Sequence, residues 1–159
     1  MKKLIILLLI SLSLVACKKE LNVSNDFTYS HKFVERDFLP IVEGTLNGKK
    51  AYFLLDTGAS ISILDLKKSS EYGVRIGDTE DIGIGGYGGV TSDITELANV
   101  DLRFGTERMT DKFSGKDIGY LIKAIRKNTG FEIAGIVGNN NITESKLILD
   151  FENNVILKR

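Results

Sequence analysis

The sequence predicts a single, mainly β domain with one or two short helices. Most of the chain is cut into short apolar and β-branched runs separated by turn residues, as in Phe38–Leu46 before Asn47-Gly48. Only Asp117–Lys127 carries a strong helical repeat, with Ile118, Leu121, Ile122 and Ile125 at i, i+3, i+4 and i+7. A chain of 159 residues, 43% of them hydrophobic, can build one core.

Composition excludes several functions. Twenty-one Lys and Arg balance twenty-one Asp and Glu, with no basic stripe, which argues against a nucleic-acid partner. The one His (His31) and the one Cys (Cys17) are too few for a zinc site or for a Ser-His-Asp or Cys-His nucleophile. No metal and no cofactor is expected. A lone Cys also leaves no intrachain disulfide.

The N-terminal segment reads as a leader. Lys2 and Lys3 precede an apolar run, Leu4–Ala16, too short to span a bilayer comfortably. It ends at Leu14-Val15-Ala16-Cys17, followed by Lys18-Lys19-Glu20, which resembles the lipobox of bacterial lipoproteins. The resemblance implies that residues 1–16 are a signal peptide that is removed. Cys17 then becomes the lipidated N-terminus, anchored to a membrane of the bacterial cell envelope on its periplasmic or surface side. Residues 17–32 are polar and weakly patterned, and read as a lipidated tether, with His31 an exposed residue near its end. The domain is expected over residues 33–159.

Along the domain, Phe38–Leu46 and Lys49–Leu55 should form a hairpin around Asn47-Gly48, since both turn residues accept positive φ. Ile61–Leu66 starts the next strand. Asp81–Val90 (DIGIGGYGGV) holds five glycines, yet no strand opens a βαβ unit there and no Lys-Ser/Thr follows, so a phosphate loop fits poorly. Two short strands with a glycine tip fit better. Thr91–Phe104 alternates weakly, as a half-exposed strand would. Asp117 in the first turn and Gly130 past the end bound the helix. Phe131–Gly138 reads as a buried strand. Asn141 and Glu144 stand at capping-box spacing for a short helix. Leu147–Phe151 and Val155–Leu157 make a last hairpin around Glu152-Asn153-Asn154.

The stretch Ala51–Leu64, AYFLLDTGASISIL, places a carboxylate between two apolar runs. An ionised Asp taken out of water costs several kcal/mol unless it is hydrogen-bonded or shares a proton. An apolar run, Asp-Thr-Gly-Ala-Ser and a second apolar run resemble the active-site loop of the retropepsin-like aspartic proteases. The glycine-rich hairpin and Ile136-Val137-Gly138 follow as in that family, and the likeness spans about Phe38–Leu157. It implies the retropepsin-like acid protease fold, with Asp56 as the catalytic carboxylate. It also implies roles for the neighbours. Thr57 would hydrogen-bond across a two-fold axis, Gly58 would bring its amide close to the carboxylate, and Ala59 would complete the loop. Ser60 would bond the outer oxygen of Asp56. Ile84, Gly85, Gly86 and Tyr87 would form a flap over the substrate.

Peptide hydrolysis by this route needs two carboxylates about 3 Å apart sharing one proton. The sequence offers one Asp-Thr-Gly. Asp81-Ile82-Gly83 and Asp117-Ile118-Gly119 lack the hydroxyl residue and the apolar lead-in. The second carboxylate is therefore expected from Asp56 of another subunit, in a homodimer acting on peptides or unfolded protein. The other reading is a catalytically silent, lipid-anchored domain of the same fold that binds peptides by strand addition. The chain departs from the compact viral pattern in its extra helix and its anchor. Leu147–Leu157 therefore need not build the interleaved terminal sheet that pairs viral subunits.

Overall fold

The computed structural model describes residues 27–35, 37–86, 89–109 and 112–158. The leader, Cys17 and most of the segment read as a tether lie outside the described residues, as does Tyr87. The described chain is mainly β. Its strands are β1 (Tyr29–Glu35), β2 (Ile41–Leu46), β3 (Lys49–Asp56), β4 (Ser62–Asp65), β5 (Arg75–Gly86), β6 (Gly89–Ala98), β7 (Leu102–Phe104), β8 (Glu107–Arg108), β9 (Phe113–Lys116), β10 (Ile133–Gly138), β11 (Leu147–Asp150) and β12 (Val155–Lys158). Two helices, α1 (Gly119–Thr129) and α2 (Asn139–Glu144), flank β10.

The strands join in the order β11-β12-β1-β2-β3-β10-β4-β9-β6-β5, with β7 on β2 and β8 on β7. Asn47 (φ 49°) and Gly48 (φ 80°) turn β2 into β3, the double positive φ expected of that pair. β3 then runs to the centre of the sheet. Phe53 and Leu55 face one apolar cluster with Val42, Leu64, Phe104, Val137 and Ile156. Leu54 faces a second, with Ile41, Ile122, Ile125, Ile133 and Ile136. A strand buried on both faces reads as a continuous apolar run, which is why no alternation precedes Asp56. All six residues of β10 are buried for the same reason. Each large side chain so placed contributes about 1.5–3 kcal/mol.

Helix α1 supplies the second cluster through Ile122 and Ile125. It stops at Gly130, where φ is 80° and the amide donates to the Arg126 carbonyl at 2.9 Å. The helix begins two residues later than its sequence repeat suggests. Asp117 precedes it and accepts from the Gly119 amide at 3.0 Å, while Lys67 pairs with its other oxygen at 2.7 Å. These contacts, Lys67 first, hold the Asp117 carboxyl below the ordinary range. The buried Asp65 accepts from the Ile118 amide at 3.1 Å and so fixes where the helix starts.

Several expectations are corrected. The sheet takes in Tyr29–Lys32, assigned above to the tether, because they pair with Lys158–Val155. Their polar composition hid a strand paired to the last strand of the fold. His31 is half-buried, not exposed. Its ring lies 6.1 Å from that of Phe104, and Nε2 lies 2.7 Å from the Glu43 carbonyl. A carbonyl only accepts, so Nε2 carries the proton. β2 starts at Ile41, after Pro40, and Phe38 is exposed. The glycine-rich strands are long, twelve and ten residues, with register shifts at Ile76/Thr79 and Asp81/Ile84. The strand expected over Thr91–Phe104 breaks at Asn99, where φ is 63°. The capping box fails. Helix α2 starts at Asn139 behind Gly138, with no side-chain cap, and Asn141 is buried within it. The terminal hairpin forms as expected, and β12 lies between β11 and β1 of the same chain.

Candidate active site

Asp56 is the last residue of β3. The strand leaves the core there, so the three residues before it are buried and the carboxylate is half-exposed. Thr57 and Gly58 form the exposed turn. The Gly58 amide donates to Asp56 Oδ1 at 2.8 Å, and the Ala59 amide donates to the Asp56 carbonyl at 3.1 Å. A Cβ on Gly58 would lie 3.1 Å from Oδ1, so glycine is what lets this amide close on the carboxylate. Among the described residues Asp56 makes no ion pair, and Oδ2 has no partner.

β10 holds the loop from behind. It runs parallel to β3, with Gly138 opposite Asp56, and antiparallel to β4, with Gly135 opposite Leu64. A Cβ on Gly138 would meet the Ile61 carbonyl oxygen at 2.4 Å and that of Ala59 at 2.8 Å. The Asn139 amide donates to the Ala59 carbonyl at 2.7 Å. Ala59 is half-buried and packs against the cluster that Ile122 and Ile125 of α1 help to form.

Thr57 and Ser60 are exposed, and neither hydroxyl bonds within the described residues. The bond expected from Ser60 to Asp56 is absent from the single chain. The buried hydroxyl of the loop is Ser62, two residues on. Its Oγ donates to Asn140 Oδ1 at 2.8 Å and accepts from the Gly138 amide at 2.9 Å and Asn141 Nδ2 at 3.0 Å. The sequence reading missed Ser62, Asn140 and Asn141. The available signal was a serine inside the apolar run Ile61–Leu64 and three asparagines directly after a fully apolar strand.

Ile84, Gly85 and Gly86 lie at the far end of β5, paired with Thr91, Val90 and Gly89 of β6. They belong to the tip of the long hairpin that follows the loop in sequence. Asp81 is within the same strand, and Asp117 is engaged at the start of α1.

A family model described as aspartyl protease matches residues 42–113, from β2 through the Asp56 loop and the β5/β6 hairpin to the first residue of β9. No curated protein sequence matches the chain. Among solved structures, the chain is similar to the EIAV protease complexed with the inhibitor HBY-793. Identity is 20%, the TM-score is 0.46, and the alignment covers 67% of this chain and 86% of that one. The matched segment contains the Asp56 loop and the β5/β6 hairpin, and the described chain around it is mainly β.

Proposed function

We propose that the chain is an aspartic endopeptidase that works as a homodimer on peptides or unfolded protein. The observation that carries this is Asp56: half-exposed at the end of a buried strand, held by one amide, with Oδ2 open. Two such carboxylates across a two-fold axis would share one proton and titrate as a unit. The ionised one takes a proton from water as the water oxygen bonds to the substrate carbonyl carbon. The protonated one gives its proton to the carbonyl oxygen. Collapse then breaks the C–N bond, and the leaving nitrogen takes up a proton. The exposed Thr57 hydroxyl is free to bond across the axis. The tip of the β5/β6 hairpin, with Ile84, Gly85, Gly86 and Tyr87, would close over the substrate and exclude water.

Specific activity should rise with protein concentration until dimer saturates. Mixing wild type with a threefold excess of Asp56→Asn should suppress it, since random pairing leaves about a quarter of wild-type subunits with an intact partner. A monomer by sedimentation, with a rate strictly proportional to concentration and no suppression on mixing, would overturn the dimer. That outcome favours the second reading, a silent peptide-binding domain. It is the reading supported by the lack of any ion pair or second carboxylate bonded to Asp56 within the described chain.

The same proposal includes a lipid anchor at Cys17 in the bacterial envelope, supported by the charged start, the short apolar run and the single cysteine at its end. Confinement to a membrane would raise the effective concentration of subunits, so a weak dimer could suffice. The mature protein expressed in a bacterium should begin at residue 17 and carry acyl mass. A different first residue, or no acyl mass, removes the anchor.

A further inference from the structure

We infer that Ser62 and Asn140 are positioning residues for the Asp56 loop, acting through the amides of Gly138 and Asn139. The catalytic consequence rests on the peptidase reading above; the structural one does not. Ser62 is completely buried at the start of β4. A hydroxyl has one donor and two acceptor sites, and all three are used. Two of its partners, the Gly138 amide and Asn141 Nδ2, can only donate. The hydroxyl proton must therefore point at Asn140 Oδ1. Asn140 is itself fixed, because Nδ2 donates to the Lys112 carbonyl at 3.1 Å; Asn141 Nδ2 also reaches that carbonyl, at 3.3 Å.

The site lies one residue from this node. Gly138 stands opposite Asp56 in the parallel ladder, and its amide goes to the Ser62 side chain. The next amide, of Asn139, goes to the Ala59 carbonyl. Successive amides at the end of β10 thus hold the loop at two points, Ala59 in its middle and Ser62 where it enters β4. Thr57, Gly58 and Ser60 stay exposed. These two contacts use no side chain that the chemistry needs. Removing the Ser62 hydroxyl orphans the buried Gly138 amide and takes from Asn140 Oδ1 its donor. Release of the clamp then lets the Asp56 turn drift, and a displacement of about 1 Å in a catalytic group costs on the order of 10²-fold.

The test compares Ser62→Ala and Asn140→Ala with wild type in the full domain. Each should lower kcat about 10–100-fold with KM within about twofold, because the carboxylate geometry changes and the substrate surface does not. Amide hydrogen exchange gives a readout independent of activity. Asn139 and Ala59 should lose protection while Phe53 and Leu54 in β3 keep theirs. Unchanged protection at Asn139 in both variants overturns the inference, whether or not the protein cleaves peptides. Loss of protection throughout β3 also overturns it, since Ser62 would then be holding the core rather than the loop. A wild type without peptidase activity removes the peptidase reading and leaves the exchange result to decide this one.

Discussion

Asp56→Asn should abolish peptide hydrolysis and leave the fold standing. The amide is nearly isosteric with the carboxylate, and its oxygen can still accept from the Gly58 amide. It can neither remove a proton from water nor share one with a partner. General acid–base catalysis is worth about 10²–10⁴-fold, so the loss should be at least that large. Half exposure of the side chain keeps the stability cost small, because no buried group is orphaned. Initial rates on a quenched peptide library, with thermal melts of both proteins, check the two halves together. Wild-type rates from the variant would remove the aspartic peptidase reading.

Gly138→Ala has the largest expected effect on stability. Its backbone is extended, with φ −87° and ψ 179°, so alanine meets no conformational penalty. The obstacle is space. The added methyl would sit 2.4 Å from the Ile61 carbonyl oxygen and 2.8 Å from that of Ala59, both backbone atoms with no rotamer to give way. Overpacking of this kind costs about 1–3 kcal/mol, occasionally more. The chain would relieve it by pushing the 59–61 segment outward, away from β10, and Asp56 with it. Denaturant unfolding should show a lower midpoint at an unchanged slope. Activity should fall together with stability. A variant as stable as wild type would show that β10 and the loop are not packed this closely.

The elements set by local chemistry were legible in the sequence. Asn47-Gly48 forms its turn because both residues tolerate positive φ, and α1 forms because Ile122 and Ile125 recur on one face and Gly130 ends it. The Asp56 turn was legible because Asp-Thr-Gly interrupts two apolar runs, which is where the strand leaves the core. What escaped were features set by distant partners. β1 is a strand because Val155–Lys158 lies beside it, and nothing within Tyr29–Lys32 says so. His31 is half-buried because Phe104, more than seventy residues away, is under its ring. Asn141 resembled part of a cap by spacing, but Ser62 draws its side chain into the core. Ser60 was expected to bond Asp56 from the resemblance of its loop to the family's. The fold buries the other serine.

The pairing of Tyr29 with Lys158 has a consequence for how such a unit can be joined to other chains. Facing residues in an antiparallel pair lie about 4.5–5.5 Å apart, so the polypeptide enters and leaves the domain through one doorway. At that doorway β12 is flanked by β11 and β1, while β1 pairs with β12 through Tyr29–Lys32 and with β2 further on, at Phe33 and Glu35. Whatever precedes Tyr29 or follows Lys158 can be lengthened or exchanged without unzipping a strand from its sheet. A module of this shape can be hung from a tail, or slipped into a surface turn of a host protein, much as a bead with one hole can be threaded anywhere on a string.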